Sequence, residues 1–164
     1  MVAGAALVRF ESAADVDGWS TVNDPVMGGR STSDVTWRDS ALVFSGELSL
    51  ENNGGFASVV APAAAFAAGA WAGRDGIRLE GAGDGKTYVV QLRVGPSGES
   101  YVQRFVAGAT FDVFLPFGEF SATTRFLQPL PDAPPLAAAQ VRGIAIYILD
   151  GQTGSFELGI ASIG

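Results

Sequence analysis

The sequence contains neither histidine nor cysteine. Those two absences remove thiol nucleophiles, imidazole bases, Ser-His-Asp relays, disulfides and Cys/His zinc clusters. Proton transfer near neutral pH would fall to carboxylates, three tyrosines or the single lysine, Lys86. Asp24 and Glu47 are the carboxylates an enzyme would use, yet no second acid stands at a spacing that demands pairing with either. The expectation is a non-enzymatic protein with no catalytic residue, no metal site and no cofactor. The run Gly81-Ala82-Gly83-Asp84-Gly85-Lys86-Thr87 imitates a phosphate loop. The Walker spacing needs glycine where Glu80 stands, and a strand follows instead of a helix. It reads as a hairpin turn.

Two other segments are richer than a turn requires: Trp19 to Ser31 and Glu47 to Ser58. Both combine Asn and Asp, which bond their own backbone, with paired glycines that permit close approach. They lock strands together, or they offer a ligand or partner a backbone surface. Asn23, Asp24, Arg30, Asn52 and Asn53 are their candidate binding residues. A second candidate surface follows from alternation along strands. With Leu79, Val90, Leu92 and Val94 inward, Arg78, Glu80, Gln91 and Arg93 face outward. With Tyr101, Gln103 and Phe105 inward, Arg104 joins them, and Asp112 follows from Phe111, Val113 and Leu115. This expectation is one shared face of Arg, Gln and carboxylate, either internally paired or a platform for a sugar or a protein. Trp19 and Trp71 are expected in the core, with Trp37 the most accessible of the three tryptophans.

The elements that would position these residues are strands. Large apolar groups fill the even positions of Leu42 to Leu50, and the same period-2 pattern marks Ile77–Glu80, Tyr88–Val94 and Phe156–Ile160. Ile144–Leu149 is apolar on both faces and reads as a central strand. Asp75-Gly76, Gly83-Asp84-Gly85 and Asp150-Gly151 punctuate the runs as turns. Ala63–Ala68 is a brief helical candidate. Gln128–Gln140, with four of the eight prolines, reads as one long surface loop before the last two strands. Regularly spaced strands with glycine-rich turns indicate an all-β antiparallel sandwich or jelly roll formed as one domain over residues 1–164.

Composition narrows the partners. The formal charge of −7 repels phosphate backbones, so nucleic acid is excluded as an expected partner. Nine of the ten basic residues are arginine, suited to fixed, directional contacts. No apolar run approaches the roughly 20 residues of a membrane span. The expected location is the cytoplasm.

Several motifs together resemble one family. They are Asn23-Asp24-Pro25-Val26-Met27-Gly28-Gly29-Arg30-Ser31, the stretch Phe44 to Ser58, Gly83-Asp84-Gly85-Lys86-Thr87-Tyr88, Leu115-Pro116-Phe117 with Phe120, Arg125, and Asp150 to Leu158. Over about Phe10 to Ile163 the sequence resembles the complex I intermediate-associated protein 30 family. The resemblance implies a galactose-binding-domain-like jelly-roll β-sandwich. It also implies a non-catalytic role like that of the factors assisting assembly of the respiratory NADH dehydrogenase, with assembly intermediates as protein partners. It adds Arg125 to the candidate binding residues. The alternative is a carbohydrate-binding module, because the implied fold is widely used for sugars.

Overall fold

The computed structural model describes residues 6–23, 32–48, 56–62, 65–66, 69–94, 99–124, 127–149, 152 and 154–164. Among these, twelve strands run in order: β1 (Val8–Arg9), β2 (Ser20–Asn23), β3 (Thr32–Arg38), β4 (Ala41–Leu48), β5 (Ala57–Val60), β6 (Gly76–Gly83), β7 (Thr87–Val94), β8 (Ser100–Val106), β9 (Phe111–Pro116), β10 (Ser121–Thr123), β11 (Val141–Ile148) and β12 (Gly154–Ile163). They form two antiparallel sheets. The first has the order β3-β4-β12-β6-β9, with β1 added on β12; the second is β10-β8-β7-β11-β5-β2.

Alternation explains the layers. Leu42, Phe44 and Leu48 of β4, Phe156, Leu158 and Ile160 of β12, and Tyr88, Val90 and Leu92 of β7 meet in one buried core between the sheets. Aromatic rings close both ends of that core. Trp71 packs between Phe66 and Phe117 at 5.3 and 6.3 Å, and Phe105 packs between Tyr88 and Phe111 at 6.1 and 5.7 Å. Trp19 and Trp71 are buried. Trp37 is half-buried, and its Nε1–H donates to the Phe10 carbonyl at 2.9 Å.

Chain direction departs from the sequence reading at one corner. Gly83–Thr87 is not a hairpin: β6 belongs to the first sheet and β7 to the second. The chain crosses between layers there, and Asp84 stitches the crossing. Its Oδ2 accepts from the Tyr88 hydroxyl at 3.0 Å and the Glu157 N–H at 2.8 Å, and its Oδ1 accepts from the Lys86 N–H at 3.0 Å. Burial first, and then the Asp84 charge, push the Tyr88 phenol far above its ordinary range.

The crossing between β11 and β12 is held by Gln152. Its Oε1 accepts from the Thr87 N–H at 2.9 Å, and its Nε2 donates to the carbonyls of Thr87 and Leu149 at 2.7 and 2.8 Å. Two of the resemblance motifs thus contain side chains that lock sheet crossings.

The ends of the described chain lie together. Val8 pairs with Ile163, the Leu7 N–H donates to the Ile163 carbonyl, and Gly164 exchanges backbone bonds with Arg78. Residues 128–140 form the expected long connection, with a single bridge of Pro129 to Thr123 and a short 3-10 turn at Ala138–Gln140. The helical candidate falls largely on 63–64 and 67–68, outside the described residues.

Candidate functional site

The expected shared polar face is divided between the two sheets. Arg78, Glu80 and Asp112 lie on the outer face of the first sheet, because β6 pairs with β12 and β9. Gln91, Arg93 and Arg104 lie on the outer face of the second, because β7 pairs with β8 and β11. Alternation gave the side each residue faces; it carried no information on which layer its strand joins.

The first of these faces is satisfied from within. Arg78 forks onto both carboxylate oxygens of Asp112 and reaches Glu80 at 3.2 Å. Arg38 meets Glu157 at 3.0 Å. The Asp112 carboxyl is held below its ordinary range by its hydrogen bonds to Arg78 and the Arg78 charge. A shallow groove of about 460 Å³ runs between these pairs over Gly81, Ala82 and Gly159. Exposed pairs of this kind contribute little energy.

The second sheet is different. Its outward side chains include an apolar cluster apart from the core: Val89, Ala145 and Tyr147 are buried, and Phe56, Val60, Val102, Leu127 and Leu149 pack on them. The register explains the cluster. Val89 stands opposite Tyr147 on one side and Arg104 on the other, while Gln91 stands between Ala145 and Val102. Phe56 and Tyr147 meet with ring centres 5.9 Å apart. A cavity of about 280 Å³ opens beside them, lined by Val89, Val102, Arg104, Ser121, Leu127 and Leu149. Leu127 turns onto this face from a left-handed backbone at φ 67°.

Arg93 lies across this face. Its stem passes over the bare Cα of Gly143, where an added Cβ would touch it at 3.7 Å. Its Nε–H donates to Gln91 Oε1 at 2.9 Å, and an Nη2 contact reaches the Tyr147 hydroxyl at 3.5 Å. Arg93 opposes Gly143, four residues from Tyr147 along β11. The two long side chains therefore lean toward each other above Ala145 and Gln91. That roof accounts for the complete burial of two residues on an outward face.

Of the sequence candidates, Arg93 and Arg104 share this face, Arg93 half-buried and Arg104 exposed. Asn23 closes β2, its backbone paired with Ala57. The Asn23 side chain and Asp24, Arg30, Asn52, Asn53 and Arg125 lie outside the described residues. The strand ends flanking 24–31, 49–55 and 150–153 are Asn23, Thr32, Leu48, Phe56, Leu149 and Gly154. They gather at one rim, as the pairings Asn23–Ala57–Ile148 and Gly154–Leu48 require. Sequence reasoning missed Tyr147 and Phe56. The signal was present: in Ile144–Leu149, Tyr147 shares its parity with Ala145 and Leu149 and so faces away from Ile144, Ile146 and Ile148. Among the described residues no cluster of three or more acids is placed to hold a metal ion. No helix among them is long and apolar enough to cross a membrane.

The sequence pattern of the complex I intermediate-associated protein 30 (CIA30) family matches residues 8–160. The chain belongs to this family. Its fold is shared with solved carbohydrate-binding domains. The family 11 carbohydrate-binding module of the cellulosomal cellulase Lic26A-Cel5E of Clostridium thermocellum superimposes with a TM-score of 0.69 at 14% identity, over 99% of this chain and 94% of that one. The Clostridium thermocellum family 11 module in complex with a β-1,3-1,4-mixed-linked tetrasaccharide gives 0.61 at 13% identity, over 90% and 88%. These likenesses establish the jelly-roll sandwich for this CIA30-family chain. Both the family and these modules are non-catalytic kinds of protein. No curated protein matches the chain in sequence.

Proposed function

We propose that this CIA30-family chain is a non-catalytic binding module that holds a protein partner during assembly of a larger complex, with the outer face of the second sheet as its contact surface. One observation carries the reading: an apolar cluster with its own cavity on the side of the sheet turned away from the core. A sheet face that serves only solubility alternates to polar residues on that side. Family membership supports assembly intermediates of the respiratory NADH dehydrogenase as the partner. The reading carries a cytoplasmic location.

The test is photo-cross-linking in the source cells, with a benzophenone amino acid at Val102 and, as control, at Asp34 on the other sheet. Adducts to NADH dehydrogenase subunits from position 102 alone are the expected result. Equal adducts from both positions, or none from 102, would overturn it.

A second reading, sugar binding, is favoured by the likeness to carbohydrate-binding modules and by the Phe56–Tyr147 pair on this face. Tyr147 is only 9% exposed, which leaves little ring surface for stacking. Glycan-array binding lost in Tyr147→Ala, together with silent cross-linking, would put this reading first.

A further inference from the structure

Among the charged side chains on the described faces, Arg93 is set apart by its partners. Arg38 and Arg78 are paired to carboxylates. The Arg93 guanidinium meets only the neutral oxygens of Gln91 and Tyr147 among the described residues. Its planar fork carries more N–H donors than these contacts use. Among the described residues this half-buried cation has no carboxylate partner, which leaves it open to an anion. Ser100 stands opposite Arg93 in register, on the side away from Gly143, and is fully buried, so the guanidinium alone faces outward. Tyr147, which Arg93 reaches, belongs to the apolar cluster with Val89, Val60 and Phe56.

We propose that Arg93 is a carboxylate-recognition site that takes an aspartate or glutamate side chain of a partner segment with apolar neighbours. The proposal rests on the protein-binding reading above and gives that partner its chemistry. Gln91 and Tyr147 are positioning residues: they hold the guanidinium flat so that its outer edge presents parallel N–H groups to both carboxylate oxygens. The aliphatic floor takes the flanking side chains. An apolar segment carrying one acid fits this charge pattern, whereas a segment rich in acids would be repelled by the rest of the chain.

The experiment uses the whole protein labelled with ¹⁵N-arginine, observing the Nε–Hε resonances, with Arg93 assigned through Arg93→Lys. The probes are acetyl-Val-Asp-Val-amide, its Asn isostere and glucuronate. The expected result is a saturable shift of the Arg93 signal by the Asp peptide. Binding, measured in parallel by calorimetry so that variants lacking the Arg93 signal are also read, should be at least tenfold weaker for the Asn peptide, fall as salt is raised from about 20 to 500 mM, and be lost in Arg93→Gln. Arg93→Lys, which keeps the charge but not the fork, should retain a fraction of the affinity and keeps the result interpretable if Arg93→Gln unfolds. Equal response to Asp and Asn peptides, no response to either, or stronger binding of glucuronate would overturn the proposal. Cross-linking from Val102 that persists in Arg93→Gln would separate its failure from that of the binding reading.

Discussion

The Gln152 side-chain amide faces the Thr87 peptide as a neighbouring strand would, accepting from its N–H at 2.9 Å and donating to its carbonyl at 2.7 Å. A side chain thereby takes the place of backbone pairing at the start of β7, where the chain has crossed to the other sheet. Replacing it with Leu leaves both Thr87 groups unpaired. The expected cost is about 2 kcal/mol, roughly 4–8 °C in Tm for a domain of this size. Gln152→Glu should fail differently, because its second carboxylate oxygen would face two carbonyls. Its folded-state pKa is then raised, so its stability should be lower at pH 7 and recover as pH falls through the carboxylate range. Thermal melts of both variants at pH 4.5 and 7 check this; parallel losses at both pH values would count against it.

Tyr88 sets an alkaline limit. Its phenol, fully buried against Asp84, has its pKa raised above the ordinary value of 10.0. Below about pH 10 both folded and unfolded chains keep the proton, and the contribution to stability is intact. Above it the unfolded chain releases the proton first, so stability falls as pH rises. Tyr88→Phe should be less stable at pH 7, through loss of the bond to Asp84, yet flatter between pH 9.5 and 11.5. Chemical denaturation across that range would show the two curves converging.

Two residues of the β3–β4 hairpin sit in left-handed backbone without being glycine: Asp39 at φ 53° and Ser40 at φ 60°. Arg38 pairs with Ala41, so they form a two-residue loop in which both positions need positive φ. Aspartate tolerates this better than serine. Ser40→Gly should therefore stabilise the fold by about 1 kcal/mol, a rise of roughly 2–4 °C in Tm. A lower Tm would show that the Ser40 side chain has a compensating role.

Gly81 is fixed by close approach. A Cβ there would lie 1.9 Å from the Gly159 carbonyl oxygen and 2.8 Å from the Phe111 ring. The first contact is backbone and cannot rotate away. Gly81→Ala should cost about 3 kcal/mol or more and part β6 from β12. Hydrogen exchange at Gly81 and Gly159 would report that opening, and unchanged protection would refute it.

Much of the sandwich was legible in the residues, because an alternating strand states its own buried face. Leu42, Phe44 and Leu48 lie inward as their spacing required. The layer a strand joins is another matter. Gly83-Asp84-Gly85-Lys86 is short enough for a hairpin, and only the bonds of Asp84 to Tyr88 and Glu157 show the chain turning across the core instead. That one turn moved Arg78 and Glu80 away from Gln91 and Arg93. Of the candidate site, Arg93 and Arg104 share a face, but the apolar cluster on that face was hidden in a strand apolar on both sides. Ile144 and Ile146 face the core; Ala145 and Tyr147 face the other way. Apolar residues on both sides of a strand do not declare which side meets the other layer and which is covered by side chains of its own sheet.

The pairing of Val8 with Ile163 carries a mechanical corollary. Antiparallel neighbours whose free ends leave at the same edge are loaded crosswise when a host chain pulls on both. The bonds of the Leu7–Arg9 seam would then open one after another, as a zipper does, without sharing the tension. A tether through these ends would peel the margin at low force.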